Sequence, residues 1–470
     1  MFNISLSNLI VEQKKTSIWQ EDLKRRRSVL KDIDYYENNQ DYYLSSLLQT
    51  IYPTTHTKVA RYASTYPLTQ RVIDDTSILF QNPMLVDIDK ENLEDEFTTM
   101  LTDSMFHATL DKVNHFVNLT YKVGVMPVWR DDKVELDIIT GDKCFAYQDP
   151  KNPTKITDLF VHISGVEQTP SSKAEHRLDQ YIRWTDETQS IVNVDIANGK
   201  IISEKDIVDN PYKVIPVVWF TNDLQINNFW PEKKNPLVPA NEWINIDQTN
   251  LSMMYSFQAY STLVIVGMDD KTLKSIEWGP QSLLAMKADP TSDVQPTADY
   301  INPSPKLSEY ETAIANKKVD AAQAAGLSAQ AYKKDNTTLN SGYQLKLSNE
   351  TLLKRVKSDR QYYIMPIRDL LELMMVTWSL NNTAKTFPED TEIILNYAEI
   401  VFDSSPEEEA RLNTILLAAG LTSNVEILMK KDPDITEEDA IEKLKKFQEH
   451  KRLTSAQVST LETILAPPEV

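Results

Sequence analysis

The runs NEWINIDQTNLSMMYSFQAYSTL, residues 241–263, and KLSEYETAIANKKVDAAQAAG, residues 306–326, decide the fold, because they bracket an interval of quite different character. In the first run Trp243, Asp247, Leu251, Met254 and Phe257 recur at helical spacing, which predicts a helix from about Asn241 to Leu263. The interval Val264 to Pro305 holds four prolines between Pro290 and Pro305 and is expected to form a small, compact, β-type insert. The second run predicts a helix whose Ala321, Ala322, Ala324 and Ala325 offer a narrow side for close approach. Leu327 to Asn340 is polar, contains Lys333, Lys334, Asp335 and Asn336, and predicts a mobile loop with no core to join. Beyond it Leu345, Leu352, Val356, Tyr363, Ile367, Leu370, Met374 and Trp378 keep a 3.6-residue period. They predict one very long helix, kinked at Pro366, which has no N–H for the ladder.

Toward the N-terminus, three helical stretches are expected. Trp19 to Leu48 carries the basic run Lys24 to Arg27 and predicts a charged surface helix. Val59 to Phe80 is punctuated by Pro67 and closed by Gln81-Asn82-Pro83. Glu91 to Leu119 has the stripe Leu93, Phe97, Leu101, Phe106, Leu110, Val113 and Val117. The period then shortens. Val123 and Val125, then Val134, Leu136 and Ile138, then Phe160, Val161 and Ile163, then Ile191 to Ile196 predict an antiparallel sheet. Arg130-Asp131-Asp132-Lys133 is placed at a hairpin tip, and Lys213 to Phe220 forms the closing strand with Pro216 toward an edge. At the other end Pro406-Glu407-Glu408-Glu409 starts a helix, and short helices continue to about Lys451.

A chain of 470 residues implies about three domains, and 41% hydrophobic with 25% charged residues supplies apolar surface for sizeable cores. Nine glycines against 23 prolines disfavour glycine-rich phosphate loops and require turns built from Pro, Asn and Asp. The single cysteine, Cys144, has no internal partner, and no secretory leader opens the chain, so folding in a reducing cytoplasm is expected. A net charge of −20 repels a polyanion, so any role on DNA is one of low friction rather than tight grip. The uncharged stretch Gln248 to Met268 has the length of a membrane span but is interrupted by Asn250, Ser252, Ser256, Gln258, Ser261 and Thr262, and is expected to pack against protein instead.

No nucleotide-binding, metalloprotease, hydrolase or calcium-loop motif occurs, which predicts no catalytic, cofactor or metal site. His107 and His115 lie two helical turns apart without a third ligand. Asp74-Asp75, Asp131-Asp132 and Glu407 to Glu409 are expected to serve as solvated faces and caps, because sequence neighbours on a helix point in different directions. Lys24 to Arg27, Lys354-Arg355-Lys357 and Lys445-Lys446 are flanked by acids and predict ion-paired helix faces. The residues alone thus describe an acidic, non-enzymatic, multi-domain α+β scaffold.

Four motifs resemble the portal proteins of tailed double-stranded DNA bacteriophages, of the SPP1-like group. RVIDDTSILFQNP (71–83) resembles their early helix ending in Phe-Gly-x-Pro, with Gln81 in place of the glycine. NPYKVIPVVWF (210–220), followed by Asn222, resembles a family strand, and SGYQL (341–345) resembles the start of the family's long helix, with Gln344 where alanine is usual. Glu407 to Arg411, AGLTS (419–423) and Asp432-Pro-Asp434 resemble its C-terminal region. The resemblance implies a portal fold. N-terminal helices and a β-rich wing would occupy 1–235, a first stem helix 236–263, and a small α/β clip 264–305. A second stem helix (306–326), a tunnel loop (327–341), a long kinked wing helix and return (342–403) and an α-helical crown (404–470) would follow.

The resemblance also implies a ring of twelve copies at one capsid vertex, assembled in the host cytoplasm and carried in the virion. Its partners would be the large terminase subunit, a head-tail connector or adaptor, the major capsid protein, scaffolding protein, and double-stranded DNA passing through the channel, with no membrane and no cofactor. On this basis Lys333, Lys334, Asp335 and Asn336 are expected at the channel, and Lys271, Lys274, Glu277 and Trp278 at the docking surface for motor and connector.

Overall fold

The computed structural model describes residues 6–163, 178–195, 198–258, 262–266, 297–301, 307–332, 350–382, 385–397, 406–431, 435 and 439–447. The chain divides into two units, residues 1–336 with 349–400 and residues 337–348 with 401–470.

The larger unit mixes helix and antiparallel sheet. Its N-terminal part runs through helices α1 (Leu6–Tyr36), α2 (Asp41–Ile51), α3 (His56–Val59) and α4 (Leu68–Thr76), strand β1 (Leu85–Ile88), then α5 (Glu94–Asp103) and α6 (Phe106–Thr120). Each of the three helical stretches expected here is broken once or more. The first stops at Tyr36 and turns through Asn38 at φ +64°, and the third turns through Met105 at φ +51°. The second loses its middle, because Pro67 cannot extend a helix before α4. It also ends at Thr76, after which Leu79 and Phe80 are buried outside any helix.

Strands β2 (Lys122–Arg130), β3 (Lys133–Thr140) and β9 (Val218–Thr221) form a three-stranded sheet in the order β3-β2-β9. Strands β4 (Cys144–Asp149), β5 (Asn152–His162), β6 (Leu178–Trp184), β7 (Thr188–Asp195) and β8 (Ile201–Asp209) form a second sheet in sequence order. The predicted antiparallel sheet is therefore two sheets. Its predicted hairpin tip is where expected: Arg130 pairs with Lys133, and Asp131 and Asp132 both take positive φ, as a two-residue turn matched to strand twist requires. Pro127 sits in central strand β2, but beyond the reach of β9, which pairs only with Lys122–Val125, so its missing N–H breaks no ladder there.

Alternation along β2 sorts side chains into two cores. Val123 and Val125 enter the main core with α6 and the long helix α9 (Glu350–Asn381), while Met126 and Val128 enter a second cluster with Leu159, Trp184, Phe229 and Trp230. The opposite face of the five-stranded sheet carries Phe145, Phe160, Tyr181 and Val192, covered by Trp19 and Leu23 of α1. Helix α1 is therefore a surface helix on one face only, with Lys24 and Arg27 exposed and Trp19, Asp22 and Arg26 buried. Arg26 is 8% exposed, with its Nε 2.9 Å from Asp22 Oδ2, its Nη1 donating to the Tyr181 hydroxyl at 2.9 Å and its guanidinium over the Trp19 ring. An acid one helical turn away and an aromatic face let the charge leave water.

Helix α9 fulfils its predicted stripe from Leu352 on: Leu352, Val356, Tyr363, Ile367, Leu370, Met374 and Trp378 are all buried and Pro366 lies within the helix, while Leu345, the first residue of the predicted stripe, lies outside the described residues. Strand β12 (Ile393–Asn396) then returns to pair with β1, two strands too short for periodicity to show. No helix among the described residues is long and apolar enough to cross a membrane.

In the smaller unit, α10 (Pro406–Ala418) and α11 (Asn424–Lys431) are followed by a helical turn over 439–447. Pro406 at the first helical position has the fixed φ a helix start needs. Ser423 and Glu426 cap α11 reciprocally: Glu426 N–H donates to Ser423 Oγ at 3.1 Å, and Ser423 N–H to Glu426 Oε2 at 3.1 Å.

Candidate functional site: a helix pair between an insert and a loop

Helix α7 (Leu237–Gln258) leads into strand β10 (Thr262–Val266), and strand β11 (Thr297–Ile301) leads into helix α8 (Leu307–Ala324). The two strands pair antiparallel from Thr262 with Ile301 to Val266 with Thr297, so the insert starts and ends at one point. The helices accordingly lie antiparallel. Tyr255 near the end of α7 bonds Glu311 near the start of α8, while Asp247, further back, accepts Tyr310 OH at 3.2 Å and lies 2.5 Å from Lys317 Nζ.

What fixes α7 was not visible as an apolar stripe. Trp243, on the face singled out in the sequence, is 60% exposed, whereas Asn241, Asn245 and Thr249 are fully buried at successive helical turns. Asn241 Oδ1 accepts the Thr69 N–H at 2.9 Å, and Asn241 Nδ2 donates to the Tyr66 carbonyl at 2.9 Å. Asn245 Oδ1 accepts the Tyr66 N–H at 2.8 Å, and Thr249 Oγ1 accepts the Ser64 N–H at 3.1 Å. Gln40 Oε1 receives both asparagine amides. The irregular strand 63–67, whose amides have no ladder partner, is thereby satisfied by one face of a helix.

At the far end of α8, Gly326 adopts φ +89° and the Leu327 N–H returns to the Ala322 carbonyl at 3.0 Å, closing the helix. Arg355 of α9 donates to the Ala325 carbonyl at 3.2 Å and to Asn118 Oδ1 at 2.9 Å, placing a cation at the carbonyl end of the helix. Ala322 is fully buried there, in keeping with the narrow side read from the alanines. The first part of the expected mobile loop is held. Leu327 and Tyr332 are buried, and Tyr332 OH donates to Asp75 Oδ2 at 2.7 Å with Arg71 over its ring. Burial and the nearby carboxylate drive that phenol far above its ordinary pKa, so it remains a donor.

The residues singled out for function flank these anchored ends. Lys333, Lys334, Asp335 and Asn336 follow directly after Tyr332, and Lys271, Lys274, Glu277 and Trp278 belong to the interval between β10 and β11; both groups lie outside the described residues. So do SGYQL and Asp432 to Asp434.

The other candidates take structural parts. Asp74 accepts Tyr36 OH at 2.9 Å. His115 Nε2 lies 3.7 Å from Asp74 Oδ1, and no group of three potential metal ligands occurs among the described residues. Arg25 pairs with Asp22, Lys354 with Glu350, Arg355 with Asp359 and Lys446 with Glu442, all one helical turn apart. The NPYKVIPVVWF stretch is a staple: buried Asn210 donates to the carbonyls of Thr185 and Val214, both at 2.8 Å, which folds 210–214 into a turn and leaves only Val218–Thr221 as strand.

No protein-family profile and no curated protein matches this chain. Among solved structures it is similar to a chain of the "Virion of native gene transfer agent (GTA) particle". That match has 12% identity and a TM-score of 0.44, covering 80% of this chain and 92% of that one. It is also similar, at 12% identity and a TM-score of 0.36, to a chain of the "Neck of empty GTA particle computed with C6 symmetry", with the same coverage. At these scores both are likenesses only, and the chain's own residues carry the function proposed next.

Proposed function

We propose that this chain is the portal protein of a tailed double-stranded DNA bacteriophage. It is a virion component, not an enzyme. Copies close into a ring at one capsid vertex, through which DNA is packaged and ejected, and which docks the large terminase subunit during packaging and a head-tail connector afterwards.

One observation carries this reading: the order of elements around the helix pair. An antiparallel pair closes at one end on two paired strands that root an insert, leads at the other into a segment whose Tyr332 bonds Asp75 of α4, and is followed by a thirty-two-residue, proline-containing helix. That order matches stem, clip, stem, tunnel loop and long helix in the portal family, and the motif RVIDD supplies the residues that hold the loop. Two anchored ends, one rooting an insert and the other leading into a polar segment, suit a device that must present one surface to a motor and another to moving DNA. The net charge of −20 suits passage without retention, since a phosphate backbone meets repulsion rather than a chain of Lys and Arg contacts.

Replacing residues 267–296 by a short turn that preserves the β10–β11 pair tests the assignment of the docking surface. Ring formation is expected to persist and binding of the large terminase subunit to vanish. Motor binding at wild-type strength would move the docking surface elsewhere.

A further inference from the structure

Where α1 passes the junction of α6 and β2, a cavity of about 270 Å³ is walled on its third side by residues 230–234. Its lining is cationic in a strongly anionic chain: Lys24, Arg25, Lys122, Lys233 and Lys234 face only two carboxylates, Asp32 and Glu232. Three of the cations are committed. Arg25 donates to Asp22 and to the carbonyls of Gly141 and Cys144, Lys233 lies 2.6 Å from Asp223, and Lys122 donates to the Phe229 carbonyl at 2.7 Å. Lys24 and Lys234 are exposed and, among the described residues, have no carboxylate within ion-pair distance.

One buried group in the same wall is short of partners. Lys122 is 6% exposed, has three donors to satisfy, and is seen with one acceptor, together with the Phe229 ring 3.5 Å from its Nζ. Burial pulls its ammonium down to about 7, the behaviour of a cation without a counter-ion. The Trp230 ring, 8% exposed, lies against the Arg25 guanidinium at 3.8 Å. The carbonyl end of α6 at Thr120 and Tyr121 adds partial negative charge, which Lys122, next in the chain, opposes.

We propose that this cavity binds a small polyvalent phosphate anion, held by Lys24 and Lys234 with the Lys122 ammonium as a buried donor. Its volume admits one compact anion and excludes a nucleic-acid duplex or a helix of another protein.

Calorimetric titration of the full-length protein with inorganic pyrophosphate, in low-salt buffer free of other phosphate, tests it. Saturable binding of one pyrophosphate per chain is expected. The Lys24→Ala, Lys234→Ala double variant should weaken that binding at least tenfold while melting as the wild type does without ligand, because both side chains are exposed. A Lys445→Ala, Lys446→Ala variant should bind like wild type. Absence of saturable binding, or binding untouched by the first double variant, would overturn the proposal. Displacement of pyrophosphate by a short DNA duplex would equally overturn it, by assigning the cations to nucleic acid.

Discussion

Asn245 bridges two segments, the residues around Gln40 and those around Tyr66, that Asn241 also joins. It accepts the Tyr66 N–H and donates to Gln40, and its own side chain is fully buried. Truncation leaves buried donors and acceptors unpaired, so Asn245→Ala should cost about 1–3 kcal/mol, read as a lower melting midpoint. Unchanged melting would mean that the strand 63–67 is not anchored by α7.

Asp32 is a second case of burial acting on one group. Burial raises its carboxyl to about 7, with Lys31 pulling the other way. A carboxyl raised on folding favours the native state while protonated, and that benefit is lost as pH climbs from about 4 toward 7. Asp32→Asn, which mimics the protonated acid, should therefore stabilise the protein at pH 8 by roughly 1–3 kcal/mol and leave it unchanged near pH 4. Equal effects at both pH values would contradict that account. Neither residue was legible in the sequence. Hydrophobic periodicity weighs apolar positions, and a helix held by asparagines leaves no mark in it, whereas the Ser423 and Glu426 cap follows a spacing rule that sequence does carry.

At the scale of elements, legibility depended on what ends them. Helix α9 was readable because one buried stripe runs its whole length. The breaks at Asn38 and Met105 were not, because the apolar period continues across each of them and no glycine or proline marks the turn. Seven non-glycine residues take positive φ among the described residues, four of them Asn or Asp, as a chain poor in glycine must allow. The β1–β12 pair was missed since four-residue strands joined across three hundred positions have no local signature.

The residues beyond Tyr332 start from a fixed point, and that makes their cations testable. A Lys333→Ala, Lys334→Ala variant should form particles normally but package DNA more slowly or retain it less well. Wild-type packaging rate and retention would remove these lysines from the channel.

For the whole molecule, the candidate channel and docking residues were legible only as positions between elements, since the partners proposed for them, other copies, a motor and DNA, leave no mark in one chain. Each copy is strongly negative, so in the proposed ring contacts between copies would have to offset that repulsion, and apolar side chains left on the surface are the ones suited to it. Trp243 at 60% exposure on α7 and Ile364 and Met365 on α9 are such side chains. Native mass measurement of the purified full-length chain, paired with negative-stain imaging of the same sample, tests the central claim most directly. A single closed species of about twelve copies with an axial opening is the predicted result; particles that stay monomeric and compact, or assemble without a central hole, would contradict it.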